Sequence, residues 1–444
     1  MAARSHTYQP PKGTRDFYPP DMAVRRHLES IWRTVSINHG FEEIDGPTFE
    51  HLDLYTVKSG DEIVSQLFRF QREGGDTEYA LRPEFTPTLA RMYAARAGSL
   101  PSPTRWFCIP NFFRAERPQR GRLREFWQWN ADIIGDPSPR ADAEVIAVAV
   151  NALEVMGLPS KDITIRISHR GLLAEALTAS GVAADRVEPA MVLLDRREKM
   201  EADAFAREAA ALGLDAARLQ ANLSRRQEVI NSAIAALEKG NEPATVDAAA
   251  EPAVAGLIEL ARRLHDRTVL RWCEFDFSIV RGLAYYTGTV FEIHEATGKE
   301  RAIAGGGRYD GLVALYGGPP TPAVGFAMGD VVIRLVLEDK GLLQPAEHYL
   351  PRPDAFIIST GDEQAEHELT PLLARLRREG LHVRTTARQT RNVGKLLGDA
   401  ARCRARHAVI LGAELADGNV VVKNLDTNDQ RTIALDSLLA ALRG

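Results

Sequence analysis

The residues best suited to chemistry here are arginines set in apolar, strand-like surroundings. "FFRAERPQRGRLREF" (residues 112–126) carries strand-like arms on both sides of a Pro/Gly turn dense in cations. Arg114 and Glu116 would leave one arm on the same face, as would Arg122 and Arg124 on the return. Such a segment reads either as a solvated hairpin with cross-strand ion pairs or as an anion holder. The apolar flanks "FCIPNFF" and "FWQWNADII" run its base into a core, which suits the second. Further on, "RGLAYYTGTVFEIH" (281–294) puts Arg281 and Gly282 at the entrance of a strand, and "AGGGRYDG" (304–311) puts three glycines before an Arg-Tyr-Asp cluster. The glycine run lacks the Lys-Ser/Thr of a P-loop, and Asp310 stands where GxGxxG needs its third glycine. It reads as a bulge or a close backbone approach, so any phosphate would have to be held by arginine.

A second group is polar without being basic. Glu84 in "LRPEFT" (81–86), with Gln128 and Asp132 in "FWQWNAD", could receive an ammonium group or an imidazole ring. Each alone reads equally as a structural hydrogen-bonding residue. Tyr285, Tyr286 and Tyr309 read singly as core or sheet-surface aromatics.

These residues need elements to position them. Residues 21–39 have the apolar spacing of an amphipathic helix, with Asp21 near its start and Gly40 as its stop. "FEEIDGPTFEH" reads as a strand interrupted by Pro47, tolerated mainly at an edge or interface. Short aromatic-rich runs follow without βαβ alternation, which predicts an antiparallel sheet in an α+β domain. From about 170 to 267 alanine and leucine dominate at helical spacing with glycine stops. This stretch reads as a helical insertion in a discontinuous sheet domain spanning 1–340. A Pro-punctuated linker (341–353) leads to βα alternation over 354–444, an α/β domain with parallel strands expected.

Composition bounds the rest. With 444 residues, 45% hydrophobic and 26% charged, the chain has the make-up of a folded globular protein with two or three domains. No run approaches the ~20 apolar residues of a membrane span, and "MAARSHTYQPPKG" lacks the apolar core of a secretory signal and reads as a disordered lead-in. Cys108, Cys273 and Cys403 are odd in number and far apart, which excludes a fully paired disulfide framework and any CxxC zinc site. No resident metal is expected, and a reducing cytoplasm is. The net charge of −5 argues against non-specific coating of nucleic acid. Locally the balance reverses: between Arg375 and Arg406 lie nine arginines and Lys395, against Glu379 and Asp399 alone. Solvated helix faces are the common origin of such runs, but an excess this large in a net acidic chain favours contacts to an RNA backbone.

Taken in order, "PPKGTRDFYP", "LRPEFT", "FRAE" with Arg122 and Phe126, "RGLAYYTGTVFE", "AGGGRYDGL" and "AVGFAMG" resemble the histidyl-tRNA synthetases, a class II aminoacyl-tRNA synthetase family. The resemblance runs from about Pro10 to the end. It implies a catalytic domain built on a six-stranded antiparallel sheet, a helical insertion, and a C-terminal anticodon-binding domain. It further implies a homodimer built through "GFEEIDGPTFE", and ATP, L-histidine and tRNA(His) as partners, with Mg²⁺ accompanying ATP. By the family pattern Arg114 and Arg281 grip the α-phosphate, with Arg122 towards the β/γ end, Phe126 on the adenine and Glu116 also among the ATP-binding residues. Glu84 and Thr86 would position the amino acid's α-amino or carboxylate end, and Gln128, Asp132, Tyr285, Tyr286 and Tyr309 would surround the histidine.

Two departures stand out. Class II enzymes carry an arginine within about three residues of "GFAMG"; here "DVVIRL" follows, with Val331 and Val332 in place and Arg334 on another helix face. Ala284 replaces the family's usual acidic residue. Histidine-sensing regulatory paralogues are the rival reading; they usually lack the anticodon domain and a sound catalytic arginine segment, both kept here. Another class II synthetase is the third.

Overall fold

The computed structural model of the chain describes residues 8–57, 64–197, 200–277, 285–388 and 390–443. It divides into two units, Met1–Ala346 and Glu347–Gly444.

In the first unit, proline and glycine set the boundaries of the opening helix. Pro19 and Pro20 begin the helix Pro19–Asn38, where a missing N–H costs nothing, and Gly40 follows at φ +76°. The nine strands that follow are β1 (Glu42–Glu43), β2 (Thr104–Cys108), β3 (Asn111–Phe113), β4 (Glu125–Ile134), β5 (Ile163–His169), β6 (Cys273–Phe275), β7 (Thr289–Glu295), β8 (Ala304–Arg308) and β9 (Ala323–Gly329). They form one sheet in the order β1-β2-β4-β9-β8-β7-β5-β6, with β3 pairing separately on β4. The expectation of six antiparallel strands is therefore corrected to nine among the described residues. Six strands, β2 to β5 in that spatial order, are antiparallel, and β1 and β6 add parallel pairs at the two edges.

The segment around Pro47 does not stay one strand. Its first half joins the main sheet as β1; its second, Phe49–His51, pairs with Glu78–Leu81, which in turn pairs with Arg69–Gln71 in a separate three-stranded sheet. The buried guanidinium of Arg82 holds the break. It donates to the carbonyls of Gly46 (2.8 Å) and Asn111 (2.8 Å) and to Asp45 Oδ1 (3.1 Å). Those contacts satisfy carbonyls that a continuous ladder would otherwise pair.

Behind the sheet lies the core. Trp129, Phe326 and Phe291 point from it into Trp32, Ile146, Leu257 and Ile333 of the covering helices, each fully buried large side chain contributing about 1.5–3 kcal/mol. Between β5 and β6 run the helices Arg170–Ala179, Val187–Arg196, Ala202–Ala211, Ala216–Glu238 and Pro252–Asp266. Leu173, Leu177, Met191 and Leu214 of this stretch form a small core. The helix Pro252–Asp266, however, packs into the main core through Val254, Leu257 and Leu264.

The second unit has the sheet order β11 (Val383–Arg384), β10 (Ala355–Ser359), β12 (His407–Leu411), β13 (Asn419–Asn424), β14 (Gln430–Ala434). The first three strands are parallel, as βα alternation demands; the last two return antiparallel through short turns, which the expectation of parallel strands missed.

Candidate functional site

The register of β4, β9, β8 and β7 builds the site. Residues opposite one another in a sheet share a face, so Asp132, Gly325, Gly307 and Val290 form one rung and Asn130, Ala327, Gly305 and Glu292 the next. The two middle strands thus present only glycine and alanine on this face, and the sheet surface becomes a trough between polar walls. The alternate residue, Gly306, looks the other way: a Cβ there would lie 2.7 Å from the Phe291 ring and 2.6 Å from Phe326 Cβ. The glycine run therefore does two jobs. Gly305 and Gly307 hollow the trough, and Gly306 lets aromatic side chains close the core behind it.

Two connected cavities occupy the trough. The first, about 310 Å³, is lined by Glu84, Thr86, Gln128, Asp132 and the three tyrosines 285, 286 and 309. The second, about 230 Å³, is lined by Glu116, Arg122, Phe126 and Arg301 among others. Arg114, Gln128, Glu292, Gly305 and Ala327 line both.

In the first cavity two carboxylates, Glu84 and Asp132, are each held by a tyrosine. Tyr285 donates its hydroxyl to Glu84 Oε2 at 2.8 Å and Tyr309 donates to Asp132 Oδ1 at 2.6 Å. Thr86, which opens the helix Thr86–Ala94, also hydrogen-bonds the Tyr285 hydroxyl. Burial pushes Asp132 up to about 7, and the Tyr309 hydroxyl holds it from going higher. Burial likewise drives all three tyrosines upward, so each stays protonated and able to donate. Tyr285 packs edge-on to Tyr286 and Tyr309, with centroids 5.2 and 6.1 Å apart. A neutral, five-membered ring with one N–H and one bare nitrogen matches such a pocket: a carboxylate accepts, and a tyrosine hydroxyl or Gln128 donates.

The second cavity is cationic and aromatic. Arg114 donates to the Pro83 carbonyl at 3.0 Å and lies 5.3 Å over the Phe126 ring. Arg122 pairs with buried Glu116 at 2.7 Å. The cross-arm ion pair expected of a solvated hairpin is present, but on the wall of a cavity. Arg334 is elsewhere, paired with Glu338 (2.8 Å) and Asp21 (3.4 Å). Arg281 and Ala284 lie outside the described residues. Sequence reasoning missed Asn130, Glu292 and Arg301. Asn130 had a period-two signal, falling on the same strand face as Gln128 and Asp132; Glu292 and Arg301 had none.

A mainly antiparallel sheet with an arginine-bearing turn and a glycine-paved trough is the catalytic architecture of a class II aminoacyl-tRNA synthetase. The histidyl-tRNA synthetase profile matches residues 13–330, and an anticodon-binding-domain profile matches 354–444. A histidine–tRNA ligase of Halobacterium salinarum is 39% identical over 429 residues, covering 95% of this chain and 94% of the relative. One from Opitutus terrae is 39% identical over 449 residues, covering 98% of each. The crystal structure of apo S. aureus histidyl-tRNA synthetase superposes with a TM-score of 0.73 at 25% identity, covering 99% of this chain and 100% of that one. The chain belongs to the histidyl-tRNA synthetase family.

Proposed function

We infer that the chain activates L-histidine with ATP and passes the histidyl group to the 3′ end of tRNA(His). The observation that carries this is the tyrosine-held pair Glu84 and Asp132 at the closed end of a trough whose other end is cationic. Asp132, Gln128 and Tyr309 receive the imidazole, while Glu84 and Thr86, beside Tyr285 and Tyr286, take the α-amino end. That places the substrate's carboxylate towards Arg114, the cation common to both cavities.

A carboxylate oxygen then attacks the α-phosphorus, and the bond to the bridging oxygen breaks, releasing pyrophosphate. In the second step a ribose hydroxyl of the tRNA attacks the acyl carbon and AMP leaves. The protein's contribution is alignment and positive charge where negative charge develops. Arg114 and Arg281 serve the α-phosphate, Arg122 with Glu116 the outer phosphates, and Phe126 the adenine face. Mg²⁺ enters with ATP as part of the substrate; Glu292, a carboxylate lining both cavities, is the chain's fitting oxygen donor for it.

Around this core we assign residues 1–340 to the catalytic domain, with the helices at about 170–267 as an insertion between β5 and β6. Residues 341–353 form the linker and 354–444 the anticodon-binding domain. Supporting the last, Arg388 and Arg391 line a concavity of about 580 Å³ within that unit. A homodimer is favoured by the aromatic cluster on the three-stranded sheet: Phe49 and Phe70 are 47% and 42% exposed, with centroids 5.5 Å apart and Tyr79 against both. No helix among the described residues is long and apolar enough to cross a membrane, and we place the protein in the cytoplasm.

Histidine-dependent exchange of pyrophosphate into ATP, followed by charging of tRNA(His), tests the whole reading. Exchange with a different amino acid would point to another class II synthetase. No exchange from folded, pure protein would leave the histidine-sensing paralogue.

A further inference from the structure

Arg308, the cation that ends the glycine run, points away from the trough. It stands opposite Val324 of β9, which stands opposite Ile133 of β4, so it shares their core-facing side of the sheet. There it is 7% exposed, beside Asp142, 2% exposed, in the first turn of the helix Pro139–Val155. All five of its N–H groups have partners. Nε donates to Asp142 Oδ1 at 3.2 Å, and Nη2 donates to Asp142 Oδ2 and to the Ser138 carbonyl at 3.2 Å. Nη1 donates to the Asp136 carbonyl at 3.0 Å and to Asp310 Oδ1 at 3.3 Å.

These partners come from two places that matter to the pocket. Asp136 and Ser138 follow directly on the end of β4, the strand that carries Asp132, and Asp310 is the residue after Tyr309. Tyr309 is thus framed by two residues that bind each other. Its own N–H donates to the Ala323 carbonyl at 2.7 Å, and the Ala323 N–H donates to Asp310 Oδ1 at 3.0 Å. β4 and β8 are not neighbours, because β9 runs between them. The 2.6 Å bond from Tyr309 to Asp132 crosses that gap on the trough side, and Arg308 crosses it behind. A buried ion pair is a poor source of stability, since an apolar pair of similar volume often serves as well. A rigid fork of five donors does what an apolar pair cannot: it is satisfied at one separation of the two strand ends.

We propose that Arg308 is a positioning residue for histidine, clamping the ends of β4 and β8 across β9 so that Tyr309 stays in reach of Asp132. This rests on the histidine-activating reading of the site. The test measures KM for histidine and for ATP in histidine-dependent pyrophosphate exchange, each variant being made with and without Tyr309→Phe. The variants are Arg308→Lys, Asp310→Ala, and Arg308→Met paired with Asp142→Leu, which removes both buried charges together. Arg308→Lys and Asp310→Ala should raise the histidine KM about twofold to tenfold, the size of one hydrogen bond, and the paired replacement about tenfold or more. The ATP KM should change by less than about twofold in all three. On top of Tyr309→Phe the same changes should add less than about twofold, because the bond they position is already gone. Equal rises in both KM values, full additivity with Tyr309→Phe, or an unchanged histidine KM would overturn the assignment. If the paired replacement does not fold, Arg308→Lys and Asp310→Ala, whose side chain is 42% exposed, decide by the same criteria. Absence of histidine-dependent exchange in the unmodified protein would instead overturn the reading beneath it.

Discussion

The carboxylate of Asp132 fills the space in which Gly325 would carry a side chain: a Cβ there would sit 1.8 Å from Oδ1 and 2.5 Å from Cγ. The two residues face each other directly across β4 and β9. The position of the Asp132 carboxylate therefore depends on a residue that has no side chain.

Gly325→Ala should expel the Asp132 carboxylate from its place under Tyr309. Overpacking of this kind costs about 1–3 kcal/mol, read as a lower melting temperature. The KM for histidine should rise more than about tenfold while that for ATP changes little. Unaltered histidine KM would show that Asp132 does not meet the substrate.

The pH dependence follows from the same carboxylate. Its folded value, about 7, lies above the ordinary 3.8, so between those limits the folded chain holds a proton that the unfolded chain has released. Ionising Asp132 thus weakens the fold as pH rises through that window, and the loss is complete above the folded value. Asp132→Asn should therefore melt higher than the parent protein at pH 8 and equal to it near pH 3, while losing histidine activation. An equal shift at both pH values would argue against a buried ionisation.

Tyr309→Phe removes the hydroxyl that lowers the Asp132 pKa. The acid limb of kcat/KM for histidine should move to higher pH. A profile that falls in amplitude without moving would make Tyr309 a packing residue only.

Arg114→Ala and Arg281→Ala should each slow adenylate formation by about 10²–10³, the usual cost of one donor to a developing charge. Histidine binding measured by calorimetry should survive both. Comparable losses in binding and rate would mean that these arginines shape the pocket rather than serve the reaction.

Deleting residues 350–444 should spare exchange and cripple tRNA charging, since the second unit has its own core around Ile357, Val409 and Leu372. In the intact chain, charging at limiting tRNA should fall steeply with added salt. Undiminished charging by the truncated protein would refute the anticodon-binding assignment.

Legibility from the sequence was uneven, for physical reasons. The end of the opening helix came through because Gly40 acts locally: a missing Cβ at φ +76° needs no distant partner, whereas its start lies two residues before the expected Asp21. The strand count did not. Glu42–Glu43, Asn111–Phe113 and Cys273–Phe275 are two or three residues long and carry no period. Alternation also cannot say which sheet a strand joins, so the runs at 69–71 and 78–81 gave no hint of a sheet of their own. Glu84, Asp132 and Tyr309 stood out because polar groups among apolar neighbours need partners. That Tyr285 serves Glu84 and Tyr309 serves Asp132 depends on pairings across 201 and 177 residues, which spacing alone does not encode.

Arg82 pins the break between the two sheets and lies two residues before Glu84. Its backbone N–H also takes the Thr48 carbonyl, next to Phe49. The exposed aromatic strand and the amino-acid pocket are thus bolted to one rivet. A partner on the outer face of Phe49 and Phe70 that displaced Arg82 would, by linkage, couple that face to the pocket, each altering the other's affinity by the same factor.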